Sequence, residues 1–404
     1  MIKIIDTTFR DGQQSPVLHY NEIYSISLEQ KLELFQAMVN LGIRYFEVFS
    51  PSVSSKEEDD LRVLLQEKDK FNMQLETPIK ILVHARCNVK DIESAVNMGV
   101  DGLNLYMSTS PDGIANNHRK TLEEVGKIAK EVIGEVRKSS PKILIRFSGE
   151  DAFRTPIDDL RKVYDELAPF VDRFGMPDTV GVATPNIVRA RVRKLRKLYP
   201  TIELEGHFHN DRGYAVINAV EAVKAGMTYV NTTILGIAER SGITSMSALL
   251  LNLYHENSDF VKSYDLSLAY PINILLSDIV KMHVPWTEPV SLTNRTHSAG
   301  VHTGAVLRSS KVYEGNNLEF FGVKDNLLLL GPLSGWHVIR YYLQNILYFE
   351  NVTEEAAKKI NLQFKDRTYQ MNKLTPPRLI LSELAQAAGL VQYEPPQTIV
   401  ERLD

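Results

Sequence analysis

The chain has 404 residues, 44% hydrophobic and 24% charged, with a formal net charge of -4. That balance excludes a disordered or low-complexity polypeptide, offers no basic surface for nucleic acid, and contains no apolar run of membrane-spanning length. A single cysteine, Cys87, excludes a disulfide framework and makes a reducing cytoplasm the expected setting.

Short apolar runs alternate with amphipathic stretches in the rhythm of βα units. The chain opens with a strand at Ile2–Asp6, without the apolar core of a secretion signal. A helix follows over Ser27–Leu41, with Ser27 as N-cap and Gly42 as its stop. Further strands are predicted at Tyr45–Phe49, Ile79–His84, Gly102–Met107, Ile143–Phe147, Glu203–His207 and Tyr229–Ile234, with a weaker one at Arg173–Pro177. Between them helical periodicity predicts Glu57–Glu67, Asp91–Met98, Thr121–Lys138, Pro156–Leu167, Ile187–Leu198, Tyr214–Ala225 and Ser245–Tyr254. The basic run Arg189–Lys197 falls on one of these helices and reads as a solvated face. Eight strand–helix pairs in about 250 residues predict an α/β fold, a closed (β/α)8 TIM barrel. An open doubly wound sheet is the alternative, but no Gly-x-Gly-x-x-Gly follows the first strand.

The rhythm ends near residue 258. Asp265–Pro285 keeps helical spacing, Pro289–Arg295 is rich in turn residues, and Thr296–His302 is small, glycine-containing and expected to be flexible. Gly335–Leu347 and Pro377–Ala388 read as helices of a mostly helical appendage. The expected division is a barrel over 1–258, a linker and subdomain over 259–345, and a helical extension over 346–404.

In a barrel, residues just after each strand share one rim, where chemistry is placed. Here that rim collects Arg10, Asp11 and Gln14, then His84 with Arg86, Ser108, Arg146 with Ser148 and Glu150, Thr179, His207 with His209, and Glu239 with Arg240. Any one of these alone is an ordinary loop residue. His207 and His209 are two apart at a strand end, so both imidazoles leave on the same side. With Asp11 from the first rim loop they make two nitrogens and a carboxylate, a facial site for a divalent cation with open positions. A 2-oxo acid chelates such an ion through its keto and carboxylate oxygens, and the ion polarises the keto group. Arg10 is placed to hold developing oxygen charge and Glu150 to exchange a proton with a carbon acid.

Three separated motifs carry a family resemblance: Asp6-Thr-Thr-Phe-Arg-Asp-Gly-Gln-Gln-Ser-Pro16, Gly206-His-Phe-His-Asn-Asp-Arg-Gly213 and Leu235-Gly-Ile-Ala-Glu-Arg-Ser-Gly-Ile-Thr244. They resemble the homocitrate synthase and 2-isopropylmalate synthase family, metal-dependent TIM barrels that condense acetyl-CoA with a 2-oxo acid. Arg146–Arg154, Asp178–Gly181, Ser241–Thr244 and Leu333–His337 are closer to the homocitrate synthase branch. The resemblance implies Asp11, His207 and His209 as ligands of Mg, Mn or Zn, and Arg10, Arg146, Ser148 and Thr179 as oxo-acid contacts, with Gln14 and Arg86 as further candidates. It implies Glu150 as a proton-transfer group, and His302 with Tyr313 as a pair on a lid subdomain, often reaching the mouth from the partner subunit of a homodimer.

The motifs also depart from the family. Gln13 stands where a Glu is usual, Ala238 where a Gly is usual, and Asn88 where that branch commonly has a second His. The loop Ser108–Lys120 has Ile114 near the position of an Arg that meets the distal carboxylate of 2-oxoglutarate. Oxaloacetate (a Re-type citrate synthase), pyruvate and 2-oxoisovalerate therefore stand beside 2-oxoglutarate as candidate acids. The tail is too short for a leucine-sensing domain, so feedback by leucine is not expected. A lyase of the hydroxymethylglutaryl-CoA type shares the barrel but uses a cysteine in a glycine-rich loop, whereas Cys87 follows the third strand. A metal-dependent oxygenase and a non-catalytic binding barrel are the remaining alternatives. His84 reads equally well as a core histidine, His118 and His255 as surface residues, and Trp336 as packing of the appendage.

Overall fold

A computed structural model describes residues 1–370 and 375–393. Eight parallel strands close into a barrel in sequence order: β1 Lys3–Asp6, β2 Tyr45–Phe49, β3 Lys80–Arg86, β4 Gly102–Ser108, β5 Leu144–Glu150, β6 Arg173–Asp178, β7 Glu203–Phe208 and β8 Tyr229–Thr232. The closure is direct, with Lys3–Asp6 in register against Tyr229–Thr232. Helices cover the outside because a parallel pair needs a crossover, and each crossover buries one apolar stripe on the sheet. Their ends follow local chemistry. Ser27 caps the helix Leu28–Leu41 in a reciprocal box with Gln30, and Gly42 stops it at φ 117°.

Alternate residues of each strand face the barrel axis. The layer nearest the strand starts is apolar and aromatic, built on Ile5, Leu82 and Tyr229 with Tyr45 and Leu144 against them. Two residues further along, the interior turns polar: Glu47, Asn104 and Arg146 are buried there, with Glu205 of β7. One more step toward the strand ends brings His84, Tyr106, Ser148 and His207 to the mouth. Gly175 of β6 makes room for this layer, since a Cβ there would lie 1.9 Å from Ser148 Oγ.

The compact unit holding the barrel runs Met1–Val290, past the residue 258 at which the βα rhythm stops. The helix Ala269–Ile279 is the reason: it packs against Leu28–Leu41, and Asn273 donates to the Val290 carbonyl at 3.2 Å. The second unit, Ser291–Asp404, has its own core. Val338, Ile339 and Leu343 of the helix Trp336–Asn345 meet Ile360 and Phe364 of Glu354–Gln370 and Leu381 of Pro377–Ala387, with Trp336 packed against them. The helix Glu354–Gln370 is absent from the sequence reading because its buried stripe is thin: Ala357, Ile360, Asn361 and Phe364 among charged neighbours. Thr296–His302, expected as a flexible stretch, is instead a short strand at Thr296–His297, paired with Leu327–Leu328, and the start of the helix Gly300–Val306. Residues 371–374 and 394–404 of the expected extension lie outside the described residues.

Candidate active site

The site is built on one buried carboxylate. Glu47 of β2 is fully buried and receives Nε of Arg10 at 2.9 Å on one oxygen and Nη2 of Arg146 at 2.8 Å on the other. Asn104 also donates to it. Burial alone would raise this carboxyl, but Arg10 and Arg146 overrule it and hold it well below the usual carboxylate range. Arg146 is fixed further by Ser148 Oγ at 2.7 Å and by an ion pair with Glu205 at 2.9 Å, too oblique for a hydrogen bond. Glu205 in turn faces Arg173 at 3.4 Å. Charges therefore alternate from the mouth down the barrel: Asp11, Arg10, Glu47, Arg146, Glu205, Arg173. Desolvating each group is tolerable only because its neighbours carry the opposite sign.

Above this floor stand the two imidazoles. His207 Nε2 and His209 Nε2 approach to 3.3 Å. Burial, with Arg10 near His207 and His207 beside His209, lowers both to about 3, so both rings are neutral and present nitrogen lone pairs. Two nitrogens bound to one ion at about 2.1 Å stand roughly 3.0–3.4 Å apart, so this separation fits a shared cation. Asp11 is buried beside them, its Oδ1 taken by Arg10 and its Oδ2 left without a hydrogen-bond partner, 3.9 Å from His207 Nδ1. Among the described residues no three such donors already point at a common centre. The unpaired Asp11 oxygen faces Nδ1 of His207, whereas the two rings approach each other through Nε2. Two neutral imidazoles and an orphaned carboxylate oxygen are nevertheless the donor set a divalent ion takes.

The loop that supports β7 needs its glycines. Gly242 sits at φ 86° with its Cβ position 2.1 Å from the Gly236 carbonyl oxygen, so only glycine fits. Its own carbonyl accepts from Asn210 at 2.9 Å, and His209 bridges to Ile243. Arg240 of the same loop reaches back to Asp211 at 2.7 Å and to the Thr179 carbonyl at 2.7 Å.

A cavity of about 160 Å³ opens at the mouth, and Arg10, Asp11, Gln14, Arg146, Ser148, Glu150, Thr179, His207 and His209 all line it. The sequence placed every one of these on the rim. Glu150 ends β5, where Ser108 of the paired strand donates to it. Thr179 Oγ1 accepts from the Asp151 amide at 2.9 Å. Arg86 is the exception. It lies outside the cavity with a side chain 70% exposed, turned to Asp91 at 2.8 Å. Asp91 is in the first turn of the helix Val89–Asn97, which Asn88 caps, so Arg86 is drawn outward. His118, expected at the surface, is half-buried and accepts from the Ser108 amide at 2.9 Å, pinning the loop to β4.

His84 and Tyr106 also line the cavity, with rings parallel at 4.5 Å. Glu47 and Tyr106 were missed because each reads as one polar or aromatic residue inside an apolar strand. Their inward phase, alternating with Phe46 and Val48 or Leu105 and Met107, was the available signal. In the second unit His302 and Tyr313 do form a pair, stacked at 4.0 Å.

Comparison with known proteins gives the following. Residues 1–274 match the HMGL-like family, and residues 290–371 match a domain described as homocitrate synthase post-HMGL domain-like. The cytosolic isozyme of homocitrate synthase from Saccharomyces cerevisiae is 32% identical over 366 residues, 90% of this chain and 81% of that protein. The mitochondrial homocitrate synthase of Schizosaccharomyces pombe is 33% identical over 365 residues, covering 90% and 83%. Homocitrate synthase AksA of Methanocaldococcus jannaschii is 31% identical over 370 residues, covering 89% and 85%. Among solved structures, the hydroxymethylglutaryl-CoA lyase of Pseudomonas aeruginosa superposes with a TM-score of 0.56 at 18% identity, over 70% of this chain and 94% of that one. That likeness is one of fold.

Proposed function

The chain belongs to the HMGL-like family and carries the homocitrate synthase post-HMGL domain behind it, and from that premise we propose that it condenses acetyl-CoA with a 2-oxo acid, 2-oxoglutarate first among the candidates. The observation that carries this is the arginine pair clamped on Glu47 directly beneath two neutral imidazoles and a buried carboxylate. It gives one mouth the means to hold a carboxylate and a polarised keto group together.

Asp11, His207 and His209 would hold the divalent ion (Mg, Mn or Zn), whose contribution is Lewis-acid polarisation of a chelated keto group. Arg10 lies beside Asp11 and stabilises negative charge gathering on the keto oxygen, while Arg146 and Ser148 hold the substrate carboxylate. Thr179 and Gln14 close the sides. A methyl proton leaves acetyl-CoA, the resulting carbanion forms the new bond to the keto carbon, and water then cleaves the thioester to release CoA. Glu150, and the His302–Tyr313 pair, are the proton carriers we assign to these steps. The lyase alternative lacks the cysteine it would use in a glycine-rich loop: Cys87 is buried just after β3, and burial pushes its thiol up to about 12. No helix among the described residues is long and apolar enough to cross a membrane. We place the protein in the cytoplasm as a homodimer, the first from its single cysteine and the second from the family resemblance.

The test is thiol release by purified protein with acetyl-CoA and 2-oxoglutarate, oxaloacetate, pyruvate or 2-oxoisovalerate, with the product identified by mass. CoA released only when an oxo acid is present supports the assignment. Cleavage of a hydroxyacyl-CoA to acetyl-CoA, without condensation, would replace it by the lyase.

A further inference from the structure

We infer that Gln13 is a positioning residue for the ion site: its side-chain amide closes the loop that carries Arg10 and Asp11, and Glu57 requires an amide rather than a carboxylate there. The inference rests on the ion-holding role proposed for Asp11. The loop after β1 is pinned by backbone bonds at both ends. The amides of Arg10 and Gly12 donate to the Thr7 carbonyl at 3.0 and 3.3 Å, and the Gln14 amide donates to the Asp11 carbonyl at 3.0 Å. Gln13 adds the bond across the middle, with Nε2 donating to the Phe9 carbonyl at 2.8 Å. Phe9–Gln13 is thereby closed into a ring, and Arg10 and Asp11 are two of the three residues inside it. Each residue left free would keep two soft dihedrals, so this bond limits the directions in which the Asp11 carboxylate can leave the backbone.

The same amide reaches outward to Glu57 Oε1, at 3.3 Å, on the helix Ser55–Asn72. The other oxygen of Glu57 takes Nζ of Lys31, also at 3.3 Å, from the helix Leu28–Leu41. Lys31 is buried, and Asp60 accepts from it at 2.6 Å; Lys56 donates to the same Asp60 oxygen at 2.6 Å. The cluster thus holds two ammoniums, Lys31 and Lys56, and two carboxylates, Glu57 and Asp60. It is neutral as it stands, and a buried ammonium is tolerated only with such partners. The Gln13 amide docks on it without altering that balance. A carboxylate at position 13 would forfeit both donations and set two like charges within hydrogen-bond reach of each other, with both cations already committed to Glu57 and Asp60. The glutamine that stands where a Glu is usual is therefore matched by an acid at position 57.

The experiment titrates the full chain, stripped by chelation, with Mn or Zn at about pH 8, where carboxylates are ionised. The dissociation constant is read by competition with a fluorescent chelator, beside the thermal midpoint of the stripped chain. Gln13→Met keeps the shape without the donors and should weaken ion binding about fivefold, the worth of one hydrogen bond. Gln13→Glu adds the like charge and should weaken it by about a further threefold or more. Adding Glu57→Gln to Gln13→Glu should recover that further loss, since position 57 then supplies the amide. Adding it to Gln13→Met should recover nothing, and this charge-dependent recovery is what general loosening of the fold, read in the midpoint, would not produce. Ion binding within twofold of wild type in both Gln13 variants would overturn the inference, as would a Gln13→Glu loss that Glu57→Gln leaves in full. Asp11→Ala separates the two layers. If it binds the ion as tightly as wild type, the ligand assignment falls and this inference with it; if it loses the ion while both Gln13 variants keep it, only the role of Gln13 falls.

Discussion

Glu47 and Arg146 meet at 2.8 Å inside the barrel, with Glu47 wholly shut off from water and Arg146 nearly so. The pair fixes the guanidinium that we assign to the substrate carboxylate, and the same Glu47 fixes Arg10. Glu47→Gln removes the charge that two buried arginines share. Breaking one partner of such a cluster costs about 3–5 kcal/mol. The variant should lose stability on that scale in chemical denaturation, and its KM for the oxo acid should rise at least tenfold. Near-wild-type stability and KM would show that the arginines are held by something else.

Ser108 donates to Glu150 across paired strands, and it sets the direction of the carboxylate from outside the cavity lining. Ser108→Ala should lower kcat by roughly tenfold, the worth of one hydrogen bond to a charged group, with KM for the oxo acid within twofold. A change confined to KM would assign Glu150 to binding.

Asp6 supplies a pH test outside the proposed ligand set. Burial pushes its carboxyl up to about 7 from an ordinary 3.8, against two hydrogen bonds from Thr8. Between those values the folded chain keeps a proton that the unfolded chain has released. Its stabilising contribution is therefore complete below about pH 4 and is lost as pH rises through about 7. The wild-type thermal midpoint should fall relative to Asp6→Asn between pH 5 and pH 8. A gap independent of pH would place Asp6 in a more polar setting than the structure gives it.

Gly242 tests the loop behind His209. With φ at 86° and a carbonyl oxygen 2.1 Å from its Cβ position, Gly242→Ala forces the loop to move. We expect about 1–3 kcal/mol of destabilisation, and weaker metal retention than wild type. Unaltered metal content with lowered stability would separate the loop from the imidazoles.

Much of the fold was legible because barrel strands and their helices repeat a strong local pattern, and Ser27 and Gly42 mark a helix by rules that need no tertiary context. The rim was legible for the same reason: residues following a strand share an end. What stayed hidden was pairing across the barrel. Glu47 is one acid within Tyr45–Phe49, and nothing local announces that two arginines, one 37 positions before it and one 99 after it, close on it. Arg86 failed in the opposite sense. Its strand position promised an inward side chain, and a helix-start acid five residues on drew it away.

The central claim is that Asp11, His207 and His209 hold one divalent ion at the mouth where the oxo acid binds. The direct measurement pairs metal content with CoA release from acetyl-CoA and 2-oxoglutarate, in wild type and in Asp11→Ala, before and after chelation. Wild type should lose turnover with its metal and regain it when Mg, Mn or Zn is restored, while folded Asp11→Ala neither retains the ion nor turns over. Full turnover by the chelated wild type, or unchanged metal content and turnover in Asp11→Ala, would contradict the claim.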